Sequence, residues 1–129
     1  MIEDIIDNVK KTEIKDSNIH GKGLFATENI KKETKLCYLE GQVVPWEIKI
    51  KYNKEEEWNP LDEKTVMVRP YKTKFSFLNH SEEENIVIKY FPLRLEAKKD
   101  IKKGEELTIN YSKIKIPFKY KKYFNLLDF

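Results

Sequence analysis

Apolar residues in this chain fall in short runs, and charged or turn-forming residues interrupt each run before it reaches the length of a long helix. Runs rich in β-branched and aromatic residues that are bounded by turn residues are typical of short strands. Such runs occur at residues 12–14, 24–26, 34–44, 64–68, 86–91, 93–97 and 107–111. The sequence therefore predicts a mainly β fold of several short strands with one or two short helices.

Two segments predict the helices. Residues 2–10 carry isoleucine and valine at helical spacing, with acidic residues near the N-terminal end, so residues 1–11 are expected to form a helical extension. Residues 45–60 form a charged, variable insert that begins at Pro45. Its pattern allows either a helix or a strand followed by a loop, and we favour a helix over residues 46–58.

The length of 129 residues is that of one domain, so residues 1–129 are expected to fold as a single domain. Charged residues make up 36% of the chain, which predicts a soluble protein. The single cysteine, Cys37, lies between apolar neighbours and is interpreted as a core residue rather than a nucleophile. One cysteine and two histidines, His20 and His80, are too few for a cysteine-rich or histidine-based metal site, so no metal is predicted.

The N-terminus is acidic, and no stretch approaches the ~20 apolar residues of a membrane span. We therefore expect an intracellular protein, in the cytoplasm or a host nucleus, with no secretion and no membrane partner. The net charge of +3 is the difference between 25 basic and 22 acidic residues, which does not favour nucleic acid as a partner.

The C-terminal tail, residues 112–129, has a more distinctive pattern. No acidic residue occurs from Leu107 to Leu127, and lysines alternate with aromatic residues. Such a tail could lie on nucleic acid, or it could be a partly buried segment with solvated lysines. We favour the second interpretation.

Three short motifs carry the functional information. The first is His20-Gly21-Lys22-Gly23-Leu24-Phe25-Ala26, in which glycines allow the backbone to approach a ligand closely. Alone it could be a simple turn between strands. It matches neither the glycine-rich fingerprint of dinucleotide-binding folds nor a phosphate-binding loop.

The second motif, Phe77-Leu78-Asn79-His80-Ser81, changes abruptly from apolar to polar residues. This change suggests a buried edge where specific hydrogen bonds are needed, although a polar turn would have the same sequence. The residues alone leave these two interpretations open.

The third motif runs from Gly104-Glu105-Glu106 into a strand that ends at Tyr111. Adjacent carboxylates on a strand point to opposite faces, so Glu105 and Glu106 cannot form a general acid and base pair. One of them is expected to be structural and the other solvated. Tyr111 could either bury its ring in the core or present its hydroxyl to a substrate.

Together and in this order, the three motifs resemble the SET domain, the fold of lysine methyltransferases that use S-adenosylmethionine (SAM), over roughly residues 12–113. The resemblance implies a SET fold of several short β-sheets with a C-terminal pseudoknot. It implies transfer of a methyl group from SAM to the ε-amine of a protein lysine, with a histone tail as one candidate substrate. The alternative is a catalytically degenerate SET domain that binds a protein partner. Small stand-alone viral and bacterial members are the most similar in size, so a homodimer is a further expectation.

The resemblance also assigns roles to residues. Lys22, Gly23 and Leu24 would contact SAM through their backbone. The Asn79 side chain would bind the amino-acid moiety of SAM, and the His80 backbone would bind the adenine edge.

Tyr111 matches the catalytic tyrosine of the family, and Tyr38 is the candidate for a second tyrosine in the lysine channel. Ile109 lies two residues before Tyr111, where a larger aromatic residue often limits the number of methyl groups added. Ile109 and Tyr111 would line the substrate channel, and the smaller isoleucine side chain would leave room for a dimethyl or trimethyl product.

Many SET enzymes complete the active site with a cysteine-rich zinc segment, which this chain does not have. The resemblance therefore predicts that the tail, residues 112–129, closes the active site. Phe118 and Tyr120 are the predicted cofactor-binding aromatic residues, with Tyr123 and Phe124 as further candidates.

Overall fold

The computed structural model describes residues 5–52 and 56–128, and the chain divides into two compact units. The first unit contains the chain up to Leu39 together with residues 72–110, and the second contains residues 40–71 and 111–129. In chain order the elements are β1 Thr12–Asp16, β2 Lys22–Ala26, β3 Lys35–Tyr38, β4 Gln42–Pro45, α1 Trp46–Lys51, β5 Glu57–Pro60, β6 Thr65–Arg69, β7 Asn79–His80, β8 Ile86–Lys89, β9 Arg94–Ala97, β10 Glu106–Ile109 and α2 Phe118–Lys121.

The first unit is built from two small sheets. One has the strand order β1-β2-β10-β7, in which β10 is antiparallel to β2 and parallel to β7. The other has the order β3-β9-β8 and is antiparallel throughout. Leu24 and Leu107 face each other across β2 and β10, and both are fully buried. This apolar pair fixes the register of the two strands that carry the first and third motifs.

The second unit contains the antiparallel sheet β4-β6-β5 and the helices α1 and α2. Its core is Trp46, Val66 and Ile116, which come from the insert, from β6 and from the C-terminal tail. The Tyr120 ring stacks on Trp46 with centroids 5.4 Å apart, and Trp58 meets Trp46 edge to face at 6.0 Å. The insert and the tail, which are far apart in the sequence, therefore share one aromatic core.

The prediction of a mainly β fold with several small sheets and few short helices is confirmed. The course of the pseudoknot and the single-domain organisation stay predictions. None of the helices within the described ranges is long and apolar enough to cross a bilayer.

The helix predicted over residues 2–10 is wrong for residues 5–10, and residues 2–4 lie outside the described residues. Ile6 forms an isolated bridge with Thr73: its N–H donates to Lys72 O at 2.9 Å and its carbonyl accepts from Lys74 N at 3.1 Å. Val9 is buried in the core. The spacing of the apolar residues is helical, but the backbone hydrogen bonds of Ile6 go to residues 72 and 74 and Lys10 N donates to Leu36 O instead.

The helix predicted over residues 46–58 is confirmed only for its first part, as α1. Residues 53–55 lie outside the described residues, and strand β5 follows from Glu57. Glu57 pairs with Arg69 across β5 and β6, and the Arg69 guanidinium binds both Glu57 and Asn59. These buried polar contacts stabilise the segment as a strand. The pattern of apolar residues in the segment does not indicate such contacts.

Candidate functional site

The second motif forms β7, the edge strand that follows β10 in the four-stranded sheet of the first unit. Asn79 begins the two-residue strand β7 and is opposite Thr108 of β10 in a parallel pairing. A short 3₁₀ turn, Lys74–Phe77, precedes it and is capped by the Thr73 hydroxyl, which accepts from Phe75 N. The buried Leu78 then leads into β7, so that the Asn79 side chain is buried beside the first motif.

The side-chain amide of Asn79 is surrounded by oxygen acceptors. Nδ2 lies 3.0 Å from His20 O, 3.2 Å from Lys22 O, 3.1 Å from Ser17 Oγ and 2.8 Å from a Glu106 carboxylate oxygen. Because an amide nitrogen is a donor only, these acceptors fix which end of the amide faces them. In the part of the chain that the structure describes, no donor engages Asn79 Oδ1, so this oxygen remains available to accept a hydrogen bond.

The Glu106 carboxylate links the third motif to the loop that precedes the first. Ser17 Oγ donates to it at 2.7 Å and itself accepts from Ile19 N at 2.9 Å. At the base of the loop, Lys22 Nζ donates to Asp16 at 2.7 Å. This hydrogen bond and the positive charge of Lys22 lower the pKa of Asp16. Glu106 is thus the structural carboxylate, whereas Glu105 is exposed and accepts from Lys102 N in the turn.

Gly23 lies directly against that carboxylate. A Cβ atom at this position would be 2.3 Å from Glu106 Oε2 and 2.8 Å from Glu106 Cδ. A side chain at residue 23 would force the Glu106 carboxylate to move, so glycine leaves this carboxylate in its place. The first and third motifs are therefore coupled through one close contact, in addition to the pairing of β2 with β10.

Strand β10 is further held by Asn85. Its Nδ2 donates to Glu106 O and its Oδ1 accepts from Thr108 N, both at 2.8 Å. Ile109 follows as a buried residue opposite His80 of β7. Ile109, His80, Asn79, Lys22, Gly23 and Leu24 all belong to the first unit.

Tyr111 belongs to the second unit and begins a 3₁₀ turn, Tyr111–Lys113. The strand predicted over residues 107–111 therefore ends earlier than expected, at Ile109. Burial raises the pKa of the Tyr111 hydroxyl above its usual value near 10, so the hydroxyl is protonated at neutral pH.

The other predicted site residues are distributed over both units. Tyr38 ends β3 in the first unit, opposite Arg94, and is half exposed. In the second unit Phe118 is 75% exposed, whereas Tyr120 stacks on Trp46. The catalytic role of Tyr38 and the cofactor contacts of Phe118 and Tyr120 stay predictions.

Sequence reasoning missed two contributors to this site. These are Ser17 and Asn85, which the sequence motifs do not include. The signal for Ser17 was weak, because a serine in a turn is common and its distant partner, Glu106, is 89 residues away. The described residues contain no group of three or more histidine, cysteine, aspartate or glutamate side chains that could hold a metal ion.

The model of one protein family, the SET domain, matches residues 21–112, which is most of the chain. This chain belongs to the SET domain family. The match includes Gly23, Asn79, Glu106 and Tyr111, and it leaves out Ser17. Comparison with curated proteins found no significant match.

SET domains generally bind SAM, and the residues around Asn79 fit one end of that molecule. The amino-acid moiety of SAM carries an ammonium group, which is a donor. Asn79 Oδ1 is an acceptor that no donor among the described residues engages. The site therefore offers the complementary atom for the ammonium group, beside the backbone of the first motif.

Proposed function

We propose that this SET domain is a SAM-dependent protein-lysine N-methyltransferase. The observation that carries the proposal is the Asn79 amide, whose nitrogen faces four oxygen acceptors while its oxygen remains available. Membership of the SET domain family supports the same reaction, because lysine methyltransferases typify this family.

The reaction makes a definite demand on the protein. When bound, SAM supplies a methyl group on a positively charged sulfur, and the group passes to an amine in an in-line displacement. The amine must be neutral, but a lysine with a pKa of about 10.4 is neutral in only about one molecule in 2,500 at pH 7. Reaching this form costs roughly 4 to 5 kcal/mol, which a dry site with nearby positive charge reduces by lowering the pKa of the lysine.

The chain supplies groups for orientation rather than a strong base. We propose Tyr111 as the catalytic residue, because its neutral hydroxyl oxygen can accept a hydrogen bond from an N–H of the amine, which leaves the lone pair of the amine directed at the methyl group. Tyr38 is proposed as a second tyrosine of the lysine channel. Ile109 is proposed as the residue that leaves room for more than one methyl group, since an isoleucine is smaller than an aromatic residue and has no hydroxyl.

A histone tail is the first substrate to test, as a lysine-rich protein segment. In the proposed assay the purified protein is incubated with SAM carrying an isotope-labelled methyl group and with core histones, and mass spectrometry locates labelled lysines. Label on lysine would support the proposal, and the number of labelled methyl groups would test the role of Ile109. A cell lysate treated in the same way extends the search to other protein substrates.

The contradictory result is a well-folded protein that neither binds SAM nor transfers label to histones or lysate proteins. That result would favour a degenerate SET domain that acts as a protein-binding module.

A further inference from the structure

One hydroxyl group connects the loop at residues 17–21 to strand β10. Ser17 Oγ accepts from Ile19 N at 2.9 Å and from His20 N at 3.4 Å, and it donates to Glu106 at 2.7 Å. The loop is closed by Ser17 N, which donates to Gly21 O at 2.8 Å. Ser17 therefore determines both the shape of this loop and its attachment to the carboxylate.

The same loop region provides two of the oxygen atoms that face Asn79. The carbonyl oxygens of His20 and Lys22 accept from Asn79 Nδ2, beside the direct contacts with Ser17 and Glu106. If the amide were flipped, Oδ1 would face the His20 and Lys22 carbonyl oxygens and the Glu106 carboxylate, none of which can donate, and the two N–H groups of Nδ2 would lose these acceptors. An amide in that orientation would leave buried polar groups without hydrogen bonds, which is costly.

We infer that Ser17 and Glu106 are positioning residues that hold the Asn79 amide with its oxygen available, and that this orientation makes the site select a cofactor that carries an ammonium group. The inference rests on the proposed function. Neither residue needs to contact the cofactor, because both act through Asn79 and through the loop. Ser17 lies outside the region that the family model matches, so the inference depends on the contacts of this chain.

The test compares two ligands that differ at one group. S-adenosylhomocysteine carries the ammonium group, and its desamino analogue lacks it. Calorimetric titration with each ligand gives a ratio of dissociation constants for the wild type, Ser17→Ala and Glu106→Ala. Glu105→Ala is the matched control, since this neighbouring carboxylate is exposed and accepts from Lys102 N within its own turn.

The wild type is expected to prefer the ammonium-bearing ligand by about tenfold or more, the usual range for a hydrogen bond to a charged group. The preference should fall to below about threefold in Ser17→Ala and Glu106→Ala and remain unchanged in Glu105→Ala. In an Asn79→Ala background, adding Ser17→Ala should change the preference no further, because the group on which Ser17 acts is gone.

Because the preference is a ratio within each protein, a general loss of stability affects both ligands alike and does not imitate the expected result. Variants that retain the full wild-type preference would overturn the inference and leave the proposed function intact. Equal binding of the two ligands by the wild type would also overturn it. A folded wild type that binds neither ligand would refute the proposed function and this inference together.

Discussion

At the scale of single residues, the site depends on close contacts between positions that are distant in the sequence. Gly23 and Glu106 are separated by more than eighty residues, yet the carboxylate occupies the space that a side chain at residue 23 would need. Asn79, on the strand next to β10, donates to both the carboxylate and the loop. A substitution at one of these positions can therefore disturb all three motifs.

Gly23→Ala tests this contact. The new methyl group would overlap with the Glu106 carboxylate, so the carboxylate must move and its hydrogen bonds to Ser17 and Asn79 are lost. We expect the free energy of unfolding to fall by about 1 to 3 kcal/mol, as for overpacking, and SAM binding to weaken. Chemical denaturation and calorimetry measure the two effects.

The control for Gly23→Ala is Gly21→Ala. The backbone of Gly21 is in the left-handed region, with a φ of +45°, but a Cβ atom at this position would have no other atom within 4 Å. This variant should show only the cost of backbone strain and keep the Glu106 contacts. If Gly23→Ala binds SAM as tightly as the wild type, the close contact is not needed for the site.

Tyr111→Phe tests the proposed catalytic residue. Loss of the hydroxyl removes the group that would align the amine, so turnover should fall by about a hundredfold or more. SAM binding and thermal stability should change little, because the ring remains. Turnover is measured by label transfer to the substrate, and unchanged turnover would remove Tyr111 from the mechanism.

At the scale of elements, the apolar runs predicted most strands, and the failures have physical reasons. Strand β7 has only two residues and exists because β10 pairs with it, so no local pattern could indicate it. Strand β5 buries polar residues, Glu57 and Asn59, whose partner Arg69 lies on the neighbouring strand. Residues 5–10 have helical spacing, but the backbone of Ile6 bonds to residues 72 and 74 and Lys10 N donates to Leu36 O. In each case a long-range contact decides the structure.

Glu57→Ala tests the buried ion pair of β5 and β6. Arg69 and Glu57 are almost fully buried, so removal of the carboxylate takes away a negative charge and an acceptor from a buried guanidinium. We expect the free energy of unfolding to fall by about 3 to 5 kcal/mol in chemical denaturation. Glu13→Ala, which breaks the exposed pair with Lys15, should cost less than about 1 kcal/mol. Similar losses for the two variants would contradict the account of β5.

Asp62, in the turn between β5 and β6, should make the stability of the folded chain depend on pH. Hydrogen bonds from Lys64 N and from Thr65 lower the pKa of the Asp62 carboxyl below 3.8. The ionised carboxylate therefore stabilises the folded chain at pH values above about 3.8, and this stabilisation is lost as the pH falls through the lower folded pKa.

Thermal unfolding of the wild type and Asp62→Asn across pH 2 to 6 measures this effect. Asparagine retains an oxygen acceptor for the turn but does not titrate. The wild type should have the higher melting temperature at pH 6, and the difference should shrink below about pH 4. A difference that stays constant or grows as the pH falls would contradict the role of Asp62.

At the scale of the whole molecule, two segments that the sequence presents as separate features fold together. The insert contributes Trp46 and Trp58, and the tail contributes Tyr120 and Phe124 to one aromatic cluster. The sequence indicated a partly buried tail but not the segment on which it packs. Alternating aromatic residues and lysines show that the tail is amphipathic, but they do not identify the surface that its apolar side contacts. The SET motifs were recognisable in the sequence, whereas Ser17 as a support for Asn79 required the folded contacts.

Truncation after Lys113 tests the shared core. The truncated chain loses Ile116, Tyr120 and Phe124, which cover Trp46. Because Trp46 and Trp58 are the only tryptophans, their fluorescence reports on the second unit alone, and its emission should shift to longer wavelength as the rings become hydrated. Phe118→Ala, at an exposed position of the tail, should leave the emission unchanged. An unshifted spectrum after truncation would contradict the shared core.

The role of Asn79 in SAM binding is tested by calorimetric titration of the purified protein with SAM, beside the Asn79→Ala variant. This measurement needs no knowledge of the protein substrate. We expect saturable binding by the wild type that weakens about tenfold or more in the variant, as for the loss of a hydrogen bond to a charged group. A folded wild type that does not bind SAM, or a variant that binds it equally well, would show that Asn79 Oδ1 does not hold the cofactor.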